Sequence, residues 1–333
     1  HSYDLDAQLS YNYNLNETLR ISPSVGISTS DNHSDRHEYL RDSIDYLFDA
    51  QNSYEQARQT LNRQARLGID YSKRLVGGYL GVVTSLSANF QRQHMDYSSE
   101  PLTTSFTRNY TLWSSNIYMF YMKQDSIQQQ ELNIQYYLVP STPSVTDLID
   151  HPISSDPLNI FLGNPDLKLS LRHGFLMSYS QRRDKMDQNM RISFSGNLIH
   201  NALTQGYTYD TTTGVRTYRP ENINSGNWDV RLTLNWSRAL DNKKFWHIGN
   251  ELSLGYNKNT SLAIAMGSMD AELSRVGNFT LNYRPNIRFQ KEKLTLQAKG
   301  VISYRNIHRN ISIGKQPTDV WDIAYGLNGN YKI

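Results

Sequence analysis

Residues 3–15, YDLDAQLSYNYNL, alternate between apolar and polar side chains without a break. Tyr3, Leu5, Ala7, Leu9, Tyr11, Tyr13 and Leu15 share one parity, and the polar residues occupy the other. Because successive side chains of a strand point to opposite faces, the segment predicts one long strand with an apolar face. Soluble strands average about 5–6 residues, whereas a strand tilted across a bilayer needs about 9–11. The length therefore favours a membrane-spanning barrel over a soluble sandwich.

The composition of the chain fits strands better than helices as the membrane-crossing elements. Of 333 residues only 38% are hydrophobic, and the mean hydropathy is -0.63. No stretch approaches the roughly 18 consecutive apolar residues of a membrane helix. A barrel tolerates such polarity because half of each strand faces a hydrated interior. Strand signals are spread evenly and leave no linker, so we expect a single outer-membrane β-barrel domain over residues 1–333.

Several functional classes are excluded by residue usage. The chain has no cysteine, which removes disulfides, iron–sulfur clusters and thiolate zinc sites. Its 34 Lys and Arg and 31 Asp and Glu are scattered, so nucleic acid is not an expected partner. The Asp150-His151 pair lacks a Gly-x-Ser-x-Gly nucleophile elbow. We expect no enzyme activity, no cofactor and no catalytic residues.

Period-2 runs predict about 13 strands. They lie near 3–15, 18–28, 59–73, 78–91, 108–123, 129–139, 169–182, 189–199, 227–239, 245–256, 277–289, 293–304 and 319–333. Between residues 113 and 122 both parities carry apolar groups, so the sequence leaves open which face points outward. Pro285 interrupts an alternating run, and because proline cannot donate to a ladder we expect a β-bulge there.

Short and long connections alternate along the chain. The long polar stretches lie near 29–58, 92–107, 140–168, 200–226, 257–276 and 305–318, and tight turns separate them. An up-and-down transmembrane barrel has tight periplasmic turns and long outer loops. The fold predicted is therefore all-β: an antiparallel up-and-down transmembrane β-barrel. Since bacterial barrels have even strand numbers, an odd count predicts an incomplete barrel that lacks its first strands.

One cationic position checks the register of strand 59–73. Leu61, Leu67, Ile69 and Tyr71 define its outer face, and Arg63 shares that face near the extracellular end. A cation near the interface costs little and can meet anionic head groups, whereas at the bilayer midplane it costs about 2–4 kcal/mol. Outer-membrane lipid and lipopolysaccharide are therefore expected partners.

A motif before the seventh predicted strand carries a family resemblance. The stretch from Pro157 to Lys168 contains Gly163, Asn164, Pro165, Leu167 and Lys168 and resembles the "GNP-x-LK" signature of TonB-dependent outer-membrane receptors and the related outer-membrane β-barrel family. This chain continues with Leu169-Ser170 where the family usually has Pro-Glu. From the residues themselves we predict a mainly structural role: Asn-Pro initiates a turn, Gly163 allows a positive φ, and Leu167 fills an apolar gap.

The resemblance implies energised import of a nutrient across the outer membrane. Such receptors carry a plug domain inside a barrel of about 22 strands, and an inner-membrane TonB complex pulls on the plug. The chain as given would be the barrel portion, without a plug, and a surface lipoprotein is a further implied partner. The alternative is a passive or scaffold outer-membrane barrel without a plug, and a soluble all-β carbohydrate-binding or hydrolytic domain is a third interpretation.

Two sets of loop residues are weaker candidates for binding. Asp31, His33, Asp35 and His37 could ligate zinc or copper, although the surrounding Asn and Ser favour a solvated loop, and we predict no metal site. The second set could stack on a sugar or hold an anion, or simply pack within loops. It comprises Tyr97, Tyr207, Tyr209, Tyr218, Arg216 and Arg219.

Overall fold

The computed structural model describes residues 2–42, 45–100, 102–150, 152–156, 158–224, 226–264, 271–310 and 318–332, and these form eighteen strands. The strands are β1 (Ser2–Ser10), β2 (Tyr13–Asn14), β3 (Leu19–Asp42), β4 (Asp45–Leu75), β5 (Gly78–Ser99), β6 (Leu102–Gln124), β7 (Gln128–Ser141), β8 (Ile153–Asp156), β9 (Asn159–Phe161), β10 (Ser170–Arg183), β11 (Gln188–His200), β12 (Ala202–Tyr209), β13 (Arg216–Ile223), β14 (Asn227–Ala239), β15 (Trp246–Ile264), β16 (Ala271–Lys291), β17 (Leu294–Arg309) and β18 (Thr318–Tyr331). Two 3-10 turns, Thr146–Leu148 and Asp184–Met186, accompany them. None of the helical segments in the described part of the chain could span a bilayer as a transmembrane helix.

One antiparallel sheet contains all the predicted strands. Its order is β1-β3-β4-β5-β6-β7-β10-β11-β14-β15-β16-β17-β18, with β2 beside β3. Neighbours in the sheet are neighbours along the chain apart from the small strands, so the topology is up-and-down as predicted. Within the described residues β1 pairs only with β3 and β18 only with β17, so the sheet is open.

The register aligns apolar side chains into continuous rows across this sheet. One row runs from β3 to β18 through Leu19, Tyr71, Val82, Met119, Ile134, Met177, Phe194, Leu232, Leu254, Leu281, Tyr304 and Trp321. The adjacent row lies on the other face and is mostly polar. Between β7 and β18 it consists of Asn133, Ser178, Ser193, Thr233, Ser253, Asn282, Ser303 and Asp322. One face of the sheet is therefore suited to hydrocarbon and the other to water.

The same register resolves the segment that the sequence left open. In β6, Trp113, Ile117 and Met119 lie on the apolar face, and Trp113 is 53% exposed. Tyr118 lies on the polar face, where its hydroxyl donates to Asn133 Oδ1 at 2.6 Å. Tyr118 thus has a polar partner on the inner face, and the ring of Phe120 on the same face stacks on Tyr118 at 5.7 Å.

The structure modifies one local prediction about strand continuity and contradicts another. The first predicted strand divides into β1 and β2, because Tyr11 N donates to Pro23 O at 3.0 Å while Pro23 has no N–H to return. At Pro285 no bulge forms: the pairs Tyr283↔Ile302 and Asn286↔Lys299 keep one register on both sides of it. Opposite Pro285 lies Gly300, where an added Cβ would be only 3.2 Å from the proline ring. The missing side chain of this glycine leaves room for the ring without an extra residue.

The long polar stretches differ from the expected loops. Most of them extend the membrane hairpins as paired strands: β3 and β4 pair as far as Asp42↔Asp45, and β5 and β6 as far as Ser99↔Leu102. The stretches 140–168 and 200–226 instead supply a second sheet, ordered β12-β13-β9-β8. This small sheet and the segment leading to it form the rim opposite the tight turns.

Candidate functional site

The polar face of the main sheet, here called the inner wall, forms a cavity near the tight-turn rim. The cavity has a volume of about 790 Å³, and its charged lining includes Glu131, Arg191, Glu251, Arg284 and Lys299. Arg284 Nη1 donates to Glu251 Oε1 at 3.0 Å. Arg191 and Lys299 form no ion pair with any described residue, and Glu131 is the one carboxylate of the lining that also forms none among the described residues, so the unpaired charges of the lining sum to a positive value.

Cations outnumber carboxylates on the inner wall between β4 and β17. The register from β4 to β17 places the following basic residues on it: Arg58, Arg66, Arg74, Arg108, Arg172, Arg182, Arg191, Arg231, Arg284, Arg288, Lys299, Arg305 and Arg309. The acidic residues on this face are Asp70, Glu131, Asp229, Glu251 and Glu272. A surface with this imbalance carries a positive potential that attracts anions.

A second inner-wall cavity of about 450 Å³ lies nearer the opposite rim. Asp229 accepts two hydrogen bonds from Asn197 Nδ2, at 3.1 and 3.3 Å. The side-chain oxygens of Asn257 and Asn278 are buried and accept no hydrogen bond from any described residue. Buried polar atoms normally have partners, so these two amides offer acceptor positions to a polar solute or water.

The segment between β7 and β10 folds back over the inner wall. Val145 and Ile149 pack with Met95 and Tyr97 of β5, and all four side chains are at most 4% exposed. The ring of Tyr54 on β4 stacks on Tyr97 at 5.6 Å. This apolar cluster anchors the segment across β4 and β5. The segment therefore covers part of the inner wall at the rim opposite the tight turns, here called the mouth.

The residues of the family motif connect this segment to the small sheet. Gly163 N donates to Ile149 O at 2.9 Å, and a Cβ on Gly163 would lie 2.1 Å from that same oxygen. The φ angle of Gly163 is outside the left-handed region, so the expected positive φ is wrong and the close approach is the constraint. Asn164 Nδ2 donates to Pro220 O at 2.9 Å, and Leu167 is only 1% exposed.

Two further residues, which the sequence did not single out, hold the motif. Arg108 on β6 donates to Pro165 O at 2.6 Å and to Leu167 O at 3.2 Å. Asn222 on β13 accepts from Lys168 N at 2.7 Å and donates to Lys168 O at 3.2 Å. The structural role of the motif remains a prediction, and substitutions that remove these contacts can test it. Pro157, at the start of the motif stretch, lies outside the described residues.

The residues considered for a metal lie on a strand and not in a loop. Asp31, His33, Asp35 and His37 belong to β3, which pairs with β4 beyond the apolar rows. His37 Nε2 lies 3.3 Å from Asp35 Oδ2. The part of the chain that the structure describes contains no group of three or more His, Asp or Glu side chains placed to hold a metal ion.

The candidate loop aromatics pack against one another. Tyr97 is 2% exposed inside the apolar cluster. Tyr218 lies between Phe161, stacked at 4.9 Å, and Tyr207 at 5.8 Å. Arg216 lies 6.0 Å over the ring of Tyr209. Of the Asp150-His151 pair, His151 lies outside the described residues.

An antiparallel sheet that is apolar on one face and polar and cationic on the other is the wall of a membrane-spanning β-barrel. Residues 93–324 match the model of the outer membrane protein beta-barrel family, which is more than half of the chain. The protein belongs to this family, and its location is the outer membrane. No curated protein sequence matches the chain.

The solved structures that match the chain are distant from it in sequence. The copper transporter OprC is 11% identical with a TM-score of 0.42, and the match covers 100% of this chain and 57% of the OprC chain. The RagAB peptide importer in the "closed-closed" state is 7% identical with a TM-score of 0.44, and the match covers 93% of this chain and 36% of that chain. The siderophore receptor PirA from Pseudomonas aeruginosa is 10% identical with a TM-score of 0.30, and the match covers 98% of this chain and 71% of that chain. The chain thus spans little more than half the length of OprC.

Proposed function

We propose that residues 1–333 form the barrel portion of an outer-membrane receptor of the TonB-dependent type, which imports a nutrient along the inner wall. The observation that carries this proposal is that one face of the sheet, the inner wall, is cationic and rich in amides, while the opposite face carries a continuous apolar row. The motif at Gly163 to Lys168 supports the receptor class by its resemblance. In this proposal a plug domain and a TonB complex are partners, a surface lipoprotein is a further partner, and the protein has no enzyme activity.

The charge of the inner wall favours a solute that carries carboxylate or phosphate groups. Arg191 and Lys299 face the larger cavity without ion-pair partners among the described residues. Both side chains are exposed, so an anion that enters the cavity can contact them. Amide acceptors at Asn257 and Asn278 would add hydrogen bonds to hydroxyl or amide groups of the same solute.

Energy dependence tests the receptor proposal against a passive barrel. Cells that produce the full-length protein would be given labelled solutes of three kinds: a citrate complex, a neutral oligosaccharide and a short peptide. We expect uptake of an anionic solute to require the inner-membrane energy source and to stop when the proton gradient is collapsed. Uptake that continues unchanged after collapse, with a steady conductance of the full-length protein in planar bilayers, would instead establish a passive barrel.

The inner-wall residues supply the matched variants. Arg191→Gln and Lys299→Gln remove the unpaired cations, whereas Arg183→Gln removes a cation from the apolar side near the turn rim. Anionic uptake should fall in the first two variants and persist in the third. Equal losses in all three would indicate impaired assembly and contradict a role of the inner wall.

A further inference from the structure

The outer face of β4 and β5 carries two arginines at the end of the apolar rows. Arg63 lies opposite Phe90, and Arg92 lies opposite Leu61, so the arginines are diagonal neighbours on adjacent strands. Both side chains are exposed. Diagonal neighbours in an antiparallel pair have Cα atoms about 7–8 Å apart, which lets two long side chains reach one group.

Strand geometry places this pair at the level of the lipid head groups. On the outer face of β4 the residues between Lys73 and Arg63 are Tyr71, Ile69, Leu67 and Ala65, without a charge. Ten residues rise about 33 Å along a strand, which is about 25 Å across the membrane at a tilt of about 40°. The apolar band of an outer-membrane barrel is also about 25 Å tall. Lys73 and Arg63 thus mark the two boundaries of this band. Arg92 lies opposite Leu61, which is two residues beyond Arg63 along β4, and so is further from the membrane centre.

No carboxylate of the described residues compensates these two guanidinium groups. The nearest acidic residues on this face lie beyond them and have other partners: Asp31 accepts from Gln59 at 3.4 Å, and Asp96 lies 3.4 Å from His94. Along β5, Asp96 is four residues from Arg92, or about 13 Å. Exposed apolar side chains adjoin the pair: Ile27 and Phe90, each 50% exposed, lie on either side of Arg63, and Trp113, 53% exposed, lies one outer-face position further into the membrane.

We propose that Arg63 and Arg92 form a binding site for the phosphate group of an outer-leaflet glycolipid. Paired guanidinium groups match the oxygens of a phosphate, and the apolar side chains below them would contact the acyl chains of the same molecule. The ligand class is a phosphorylated lipid, since free phosphate would use the arginines but not the apolar surface. This site lies on the lipid side of the wall and is independent of the proposed transport function.

The test uses the full-length protein in nanodiscs of neutral phospholipid with added lipid A. Binding would be measured with bisphosphorylated and enzymatically dephosphorylated lipid A. The variants are Arg63→Gln with Arg92→Gln, and Arg66→Gln as the matched control, because Arg66 is on the inner face of β4. Loss of charged hydrogen bonds worth about 1.5–3 kcal/mol predicts at least about tenfold weaker binding of the phosphorylated lipid to the double variant.

The remaining outcomes are as follows. Arg66→Gln should bind like the wild type, and dephosphorylated lipid A should bind weakly to all forms. Heat-modifiable electrophoretic migration verifies that each variant is folded. Unchanged binding by the folded double variant, or equal affinity for both lipids, overturns the site. Complete displacement of the lipid by an equal concentration of inorganic phosphate would show a simple anion site and would also overturn the proposal.

Discussion

Arg108 on β6 donates from Nη1 to the main-chain oxygen of Pro165 at 2.6 Å, across 57 residues of sequence. A second hydrogen bond from Nη2 reaches Leu167 O at 3.2 Å. The guanidinium therefore ties the family motif directly to the membrane wall. The apolar cluster of Val145 and Ile149 holds the same segment on the neighbouring strand β5, so the segment has a polar anchor and an apolar anchor on adjacent strands.

Removing the guanidinium of Arg108 should loosen the segment and leave the barrel intact. In Arg108→Gln both hydrogen bonds to the motif are lost, and bonds from charged groups contribute about 1.5–3 kcal/mol each at most. We expect faster amide exchange over residues 144–150 and 162–168, measured by hydrogen–deuterium exchange in detergent. Arg66→Gln, on the same inner face, should leave that exchange unchanged; protection equal to wild type in Arg108→Gln would contradict the anchor.

A methyl group at Gly163 should displace the motif. The added Cβ would lie 2.1 Å from Ile149 O, so Gly163→Ala requires the backbone to move, at a cost of about 1–3 kcal/mol. Limited proteolysis should cut within residues 144–168 faster than in the wild type. Gly326→Ala is the control, because no atom lies within 4 Å of the Cβ there. Equal cleavage rates for the two variants would exclude the steric constraint.

The period of two in side-chain polarity was sufficient to predict the sheet. All thirteen predicted strands occur. Each strand has one face towards hydrocarbon and the other towards water, so its side chains must alternate between apolar and polar. Beyond the membrane that contrast ends. Residues 29–42 and 45–58 pair over most of their length, but polar groups occupy both faces, so the sequence alone favoured loops.

The contacts of the motif could not be derived from one sequence. Arg108 and Asn222 are 57 and 54 residues from their partners, and neither lies in a local pattern that differs from its surroundings. The bulge expected at Pro285 fails for a similar reason. Its register depends on Gly300 across the strand pair, and local sequence around a proline does not reveal the opposite residue.

Acid should weaken the contact between two tight turns. Lys244 Nζ donates to Asp187 Oδ1 at 2.6 Å, and this hydrogen bond lowers the pKa of Asp187. His247 Nε2 lies 3.6 Å from the other carboxylate oxygen. A lowered pKa means that the stabilisation is complete above the ordinary pKa of an Asp, about 3.9, and is lost as the pH falls through the lower folded value.

Asp187→Asn isolates this charge, because asparagine also tolerates the left-handed backbone of residue 187, whose φ is 46°. Urea unfolding midpoints of the wild type and the variant would be compared at pH 7 and pH 3. The difference between the two proteins should be present at pH 7 and shrink at pH 3. A difference that stays constant over this range would show that the ion pair does not stabilise the folded protein.

The assignment of the two faces can be tested with one pair of adjacent residues. Leu232 lies in the apolar row between Phe194 and Leu254, and its neighbour Thr233 lies in the polar row between Ser193 and Ser253. Both are near the middle of β14, so an arginine at either position is far from the interfaces. On the lipid face near the midplane an arginine costs about 2–4 kcal/mol, whereas a substitution on the hydrated face costs little.

Leu232→Arg should therefore fold into vesicles with a lower yield and unfold at a lower urea concentration than Thr233→Arg. Heat-modifiable migration on electrophoresis measures the folded fraction of each variant. The two positions share a strand and a depth, so the distance from the turns is matched, and the introduced arginines differ in the face to which they point. A lower stability of Thr233→Arg would mean that the polar row faces the lipid, which would reverse the inner wall and the site of Arg63 and Arg92 together.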